Sequence, residues 1–275
     1  MARSILITGC SSGIGLDAAM TLHRAGWRVF AGVRDEDSAA RFRSAGVETA
    51  RIEMAETSSI DAALADVLER TGGTLDALYN NAAFACPGAV EDLPTDALRS
   101  VFEANVFGLH HLTRAAIPVM RRQGHGRIVQ CSSVLGFVPL PWRGAYSASK
   151  YALEGLTDTL RIEMRDTPLH IITLQPGPIA SRIRANSIPH FERWVDWESS
   201  PRRAQYEQSL LKRLYEPSGG DLFQLPPGAV SRVLMKALTT LRPRSHYRVT
   251  MPTHLMAAAR RLLPRAALDA LCARG

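Results

Sequence analysis

The sequence predicts a doubly wound α/β domain with a parallel sheet at its centre, and three observations predict it. Short apolar runs alternate with stretches of helical periodicity, a glycine-rich turn joins the first run to the first helix, and 275 residues with 46% hydrophobic side chains suffice for one full core. Strands buried on both faces read as continuous apolar runs, and their alternation with helices is the signature of parallel βαβ units.

Residues 4–8 (SILIT) form the first strand and residues 14–24 the first helix. Next come a strand at 28–33, a helix at 35–45, a strand at 47–52, a helix at 58–70 and a strand at 75–79. A long helical region covers 96–122, followed by a strand at 127–131, a helix carrying Tyr146 and Lys150 to about residue 165, and a strand at 169–174. Beyond Pro176 the pattern changes. Residues 186–220 mix aromatics with charges and read as a lid-like insertion. PPGA then starts a helix to about residue 241, with proline in the first turn where its missing N–H costs nothing. A strand at 247–251 and a terminal helix over about 254–273 complete one domain, residues 1–275, without repeats or linkers.

MARSILITG has no apolar stretch long enough for a signal peptide, and no segment reaches the ~20 apolar residues of a spanning helix, so the cytoplasm is the expected compartment. Cys10, Cys86, Cys131 and Cys272 lack paired metal-site spacing and read as reduced thiols; no metal is expected. The net charge of +7 raises nucleic acid, a membrane surface or an anionic cofactor. Basic residues are spread along the chain in short clusters such as Arg202-Arg203 and Arg260-Arg261, with no nucleic-acid motif, so no nucleic-acid partner is expected.

The chemistry is carried by GAYSASK, where Tyr146 stands four residues before Lys150 and thirteen after Ser133. One helical turn apart, phenol and ammonium share a face, and the cation favours the phenolate, lowering a pKa of about 10. Ser133, at the end of an apolar run, approaches as a hydrogen-bond partner; strand alternation turns Ser132 the other way. With only three lysines against thirty arginines, this lysine does not come from a lysine-rich background. TGCSSGIG, residues 8–15, sits at the first strand-to-helix junction. Gly9 allows a tight turn, Gly13 lets the backbone approach a diphosphate, and Gly15 permits close helix–sheet packing above a helix N-terminus. Ser11 and Ser12 add hydroxyl donors. No GK[ST] follows, which disfavours a P-loop.

TGCSSGIG, NNAA, SS...YSASK and PGPIAS occur in the order seen in the short-chain dehydrogenase/reductase superfamily, and the chain resembles it over essentially its whole length, with the Rossmann-type fold that implies. AGVRD and YSASKYALEGL look most like the branch containing 17β-hydroxysteroid and retinol dehydrogenases. The resemblance implies that Tyr146 is the general acid/base, that Lys150 lowers its pKa and binds the nicotinamide ribose, that Ser133 holds the substrate oxygen, and that Asn105 holds a water linked to Lys150. It also implies cofactor contacts at Ile14, Asn80 and Ala82, at Glu53 and Met54 near the adenine, and at Pro176, Gly177, Ile179 and Ser181 around the nicotinamide. Two departures stand out. Ala83 replaces the glycine of the usual NNAG, which would strain a left-handed backbone there, and Glu53 replaces the common aspartate.

Val33 occupies the position where NAD-preferring relatives carry an acid, and Arg34 follows it; with Ser12 nearby this favours NADP(H), while Asp35 keeps NAD(H) open. Phe84, Leu135, Trp142, Phe191, Trp194, Trp197 and Tyr206 are candidate walls of an apolar substrate pocket, suited to a small apolar carbonyl/alcohol pair of steroid, retinoid or long-chain type. The resemblance further implies a homodimer or homotetramer built on the helices of Asn105 and Tyr146. The arginine- and leucine-rich terminal segment is read as packing on the body or a partner subunit in preference to lying on a membrane. A non-catalytic NADP-sensing module is the alternative function; it would need the glycine turn but no tuned phenol.

Overall fold

Every predicted strand finds a parallel neighbour. The computed structural model, which describes residues 2–216 and 223–273, contains β1 (Ser4–Ile7), β2 (Arg28–Val33), β3 (Glu48–Arg51), β4 (Ala77–Asn80), β5 (Gly126–Cys131), β6 (Leu169–Gln175) and β7 (His246–Arg248). They form one parallel sheet in the order β3-β2-β1-β4-β5-β6-β7. Because β1 lies between β2 and β4, the chain winds outward in both directions from that pair, which opens a crevice at the carboxyl ends of the strands.

The period-2 alternation of β1 divides the interior. Ile5 and Ile7 face a core shared with α1 (Gly13–Arg24) and α2 (Glu36–Ser44), whereas Leu6 faces the core of α3 (Thr57–Thr71). Each is fully buried, worth about 1.5–3 kcal/mol per side chain.

The long helical region is not one α-helix. α4 (Thr95–Phe102) runs through a π-helical segment, Glu103–Gly108, into α5 (Leu109–Gln123). α6 (Gly144–Glu163) carries Tyr146 and Lys150 on one face, as their spacing predicts. The predicted insertion folds as α7 (Ile183–Trp194), α8 (Arg203–Gln205), a π turn and α9 (Leu211–Tyr215); residues 217–220 of it lie outside the described residues. Its Phe191 and Tyr206 are fully buried against Cys86, Ala97 and Val101, and the Tyr206 hydroxyl accepts from Ala89 N and donates to Asp92, each at 2.8 Å. These two aromatics therefore fasten the cap to the body and do not wall a pocket.

α10 (Gly228–Thr239) follows PPGA as predicted, but it begins after both prolines, with Pro227 at its N-cap and none in its first turn. β7 ends earlier than the sequence reading, because Thr250 caps α11 (Met251–Leu262), its hydroxyl accepting from Thr253 N. Pro264 then breaks the terminal helix, and α12 (Arg265–Cys272) follows.

Candidate active site

The predicted residues come from several segments at the strand ends. From β1 comes the glycine turn. Gly9 has φ +71°, and a Cβ on Gly15 would stand 2.2 Å from the Gly9 carbonyl oxygen, so the turn lies directly on the start of α1. Ser12 precedes α1 in extended conformation, and its side chain makes no capping bond, which leaves the first-turn N–H groups without a side-chain partner. Exposed amides at a helix N-terminus behind a tight glycine turn fit the diphosphate of a dinucleotide. Ile14 packs on the core beneath the turn.

From β4 comes a correction. Asn80 is fully buried and donates to the Thr113 hydroxyl at 2.8 Å, so its side chain braces α5 and cannot reach a cofactor. The residue that shapes the turn is Asn81. Its amide donates to the carbonyls of Thr8 and Gly9 at 3.0 and 3.1 Å, while the Thr8 hydroxyl accepts from the N–H groups of Asn81 and Ala82, both at 3.0 Å. Thr8 and Asn81 both lie inside motifs visible in the sequence; only the inward or outward sense of a strand-end residue was missing. Ala82 lies against Gly9, and Ala83 keeps a negative φ, so the missing glycine imposes no left-handed strain.

From the π segment comes Asn105, fully buried, which clamps Phe84 by accepting from its N–H at 3.0 Å and donating to its carbonyl at 2.8 Å. A further donation reaches Ser149 at 3.2 Å. The Asn105 side chain is thus committed to protein partners.

From β5 and α6 comes the cluster itself. The Ser133 hydroxyl accepts from Leu135 N at 3.1 Å and lies beside Tyr146, while the Ser132 hydroxyl is buried without a hydrogen-bond partner. Lys150 is buried and donates to the Cys131 carbonyl at 2.7 Å, with its ammonium 5.6 Å from the centroid of the Tyr146 ring. Burial lowers the Lys150 pKa, opposed by Cys131 and Glu154. The phenol does not follow the sequence reading. Burial pushes Tyr146 above its ordinary value, Cys131 adds to this, and the Ser133 hydroxyl pulls the other way; Lys150, engaged with a carbonyl, does not reverse the balance.

Around the cluster, Leu135 is buried in the turn after β5, and Trp142, with φ +64°, lays its ring 4.7 Å from that of Tyr206. Phe84 stacks on His190 at 4.2 Å. Trp194 and Trp197 pack into the cap cluster. Beyond β6, the Pro176 carbonyl accepts from Val134 N at 2.8 Å, and Gly177 lies so close to Thr250 that a Cβ would meet its hydroxyl at 2.1 Å, a contact the sequence did not announce. Ile179 bridges to Leu225, and Ser181 lies 3.2 Å from where a Gly13 Cβ would stand. A cleft of about 810 Å³ borders the glycine turn between Gly13, Met20, Phe42 and Ser181, and Ser133, Tyr146 and Lys150 do not line it.

At the end of β2, Arg34 is exposed and pairs with Glu53 at 3.5 Å, while Asp35 caps α2 by accepting from Ser38 N at 2.7 Å. These two and Arg51 line a second cavity of about 430 Å³. Met54 is buried, its carbonyl packed on Gly108. All four cysteines are free and buried.

Residues 3–190 match the short chain dehydrogenase family. The chain is 37% identical to the uncharacterized oxidoreductase YbbO of Escherichia coli K12, over 98% of this chain and 93% of that one. It is 30% identical to bovine retinol dehydrogenase 8, over 88% of this chain and 79% of that one. Among solved structures, a Burkholderia phymatum short-chain dehydrogenase/reductase in complex with NAD superposes with a TM-score of 0.79 at 26% identity, covering 99% of this chain and 95% of that one. An actinorhodin polyketide ketoreductase with NADPH gives 0.72 at 26% identity, over 90% and 95%. YbbO is more similar to this chain than retinol dehydrogenase 8 is, so the narrower steroid and retinol branch is not singled out. With a glycine turn that fits a dinucleotide and a Ser/Tyr/Lys cluster at the same end of the sheet, the chain belongs to the short-chain dehydrogenase/reductase family and is an NAD(P)-dependent oxidoreductase.

Proposed function

We propose that the chain transfers a hydride between NADP(H) and an apolar alcohol/ketone or alcohol/aldehyde pair of steroid, retinoid or long-chain type. The observation that carries this reading is the cluster of Tyr146, Ser133 and Lys150 at the same end of the parallel sheet as the glycine turn. The bound nicotinamide supplies or accepts the hydride. In reduction, the Tyr146 hydroxyl gives its proton to the substrate oxygen, Ser133 holds that oxygen by a hydrogen bond, and Lys150 stabilises the phenolate left behind until a proton returns from water. Oxidation runs the same transfers backwards. Phe84, Leu135 and Trp142 supply the apolar side of the site. A nicotinamide-absorbance screen with both cofactors against steroids, retinoids and aliphatic carbonyls tests the reading; binding without turnover across that panel would leave the sensing alternative in its place.

NADP(H) is favoured because Asp35 is spent on capping α2, where hydrogen bonds from Ser38 hold its carboxyl below the usual range, so it is not free for a ribose hydroxyl. Arg34 is exposed beside it and suits a 2′-phosphate. Arg34→Ala is expected to raise KM for NADPH about tenfold or more and to leave KM for NADH nearly unchanged. Equal effects on both cofactors would refute the assignment.

Self-association is read from exposed Leu98, Phe107, Leu156 and Ile162, which project from α4, the π segment and α6. These elements pack on one another, and several exposed apolar side chains on neighbouring helices suit a protein contact. Phe107→Arg is expected to convert a dimer or tetramer to a smaller species in sedimentation equilibrium; an unchanged mass would place the contact elsewhere.

A further inference from the structure

Segment 176–181 joins the two halves of the site. At one end the Pro176 carbonyl accepts from the N–H of Val134, the residue after Ser133, at 2.8 Å; at the other, the Ser181 side chain stands 3.2 Å from where a Gly13 Cβ would be. A dinucleotide with its diphosphate on the glycine turn and its reactive ring beside Tyr146 therefore runs along this segment. Gly177 lies within it. Its φ is not positive, so no left-handed backbone calls for glycine at this position. The requirement is space. A Cβ there would collide with the Thr250 hydroxyl and stand 2.5 Å from the hydroxyl of Thr253.

Sheet register brings these residues together. β6 and β7 pair as Thr173 with His246, Leu174 with Tyr247 and Gln175 with Arg248, and Val249 N donates to the Gln175 carbonyl at 3.2 Å. Both stretches then leave the sheet, so that the second residue beyond β6, Gly177, meets the second beyond β7, Thr250. Thr250 and Thr253 are fully buried, and their hydroxyls are hydrogen-bonded to each other at 2.9 Å. The far end of α11 is tied to the catalytic side of the site. Arg260 donates to the Phe137 carbonyl and, at 2.9 Å, to the hydroxyl of Tyr151, the neighbour of Lys150 on α6. Met256 and Ala259 pack with Val134 and Phe137 in the turn that follows Ser133. With α11 held at both ends, a group added at Gly177 displaces the segment and not the helix.

We propose that Thr250 and Thr253 are positioning residues for the nicotinamide: the capped start of α11 is a fixed stop on which Gly177 rests, and it sets where segment 176–181 stands against the bound ring. The proposal rests on the hydride-transfer reading above and deepens it, by giving the C-terminal helix a part in aligning the cofactor. Ordinary core packing is the competing account; there a methyl at Gly177 would be absorbed without consequence for the cofactor.

The test is a double-mutant cycle, read by calorimetric titration of the full chain with NADPH and with 2′,5′-ADP, which carries the adenosine half alone. Gly177→Ala is expected to weaken NADPH at least about tenfold and 2′,5′-ADP less than about twofold, because only the nicotinamide half lies against the displaced segment. In a Thr250→Ala/Thr253→Ala background the same methyl finds room, and its cost is expected to fall below about threefold. An equal cost in both backgrounds overturns the proposal, as does a parallel weakening of 2′,5′-ADP, or Gly177→Ala binding NADPH as the wild type does. Thermal melts identify a variant that does not fold. If Gly177→Ala is that variant, a folded, NADPH-binding triple variant supports the stop, and an unfolded triple variant beside a folded Thr250→Ala/Thr253→Ala control overturns it. A wild-type chain that binds NADH and not NADPH refutes the cofactor preference alone, and the cycle is then decided with NADH and ADP. A chain that binds neither dinucleotide overturns both readings.

Discussion

Tyr146→Phe lowers kcat by about 10²–10⁴-fold and leaves NADP(H) binding near the wild-type level, because the substitution removes one proton donor from a ring that stays in place. Steady-state rates beside a cofactor titration check both halves; a variant turning over at wild-type rate would falsify the proposed mechanism. The direction of the pKa shift adds a pH dependence. Burial holds the phenol above its ordinary value, so the protonated form that donates in reduction is populated throughout the neutral range. Reduction is therefore expected to be flat around neutrality and to fall only in alkali. Oxidation starts from the phenolate and is expected to rise with pH over the same interval. An oxidation rate that declines with pH would exclude Tyr146 as the base.

Gly15→Ala has the second large effect. Its methyl would lie 2.2 Å from the Gly9 carbonyl oxygen and 2.7 Å from the Asn81 amide nitrogen, and the nearer of these is backbone. Relief requires moving the turn away from α1, which breaks the bonds from Asn81 to Thr8 and Gly9. Overpacking of this kind costs about 1–3 kcal/mol in stability. Loss of the cradle is expected to weaken NADP(H) by at least about a hundredfold, since the amides act together on one diphosphate. Isothermal titration and a thermal melt separate the two consequences, and native affinity in a folded variant would mean that the dinucleotide binds elsewhere.

The sheet was legible because parallel strands buried on both faces leave runs such as SILI and RVFAGV that no surface segment imitates. Tyr146, Lys150 and Ser133 were legible because helical spacing and strand alternation are local rules. What the sequence did not disclose depends on contacts distant along the chain. Asn80 and Asn81 are adjacent and identical, and only the packing of β4 decides that the first braces Thr113 while the second ties the glycine turn. Tyr206 and Phe191 looked like pocket walls because aromatics in an insertion have the same composition whether they line a cavity or anchor a cap. The phenol's surroundings were legible only in part: spacing brings an ammonium near, whereas the desolvation that pushes the phenol the other way is a property of the whole fold. The break at Asn105 was hidden for another reason: EANVFG has no proline and one glycine, and nothing in it distinguishes π from α geometry.

That π segment makes the helix sensitive to length as well as composition. A π turn accommodates one residue more than an α turn, so α4 and α5 are out of phase with each other by about one residue's rotation, ~100°. Removing any single residue between 103 and 108 other than Asn105 would let an unbroken α-helix form, bring the two halves back into phase and swing Asn105 off the Phe84 backbone it now grips at both ends. Hydrophobic content and helix propensity would barely change, so the deletion would look harmless by pattern. The six-residue stretch therefore records a count as much as an identity, and the geometry of the site is stored partly in the number of residues that precede α5.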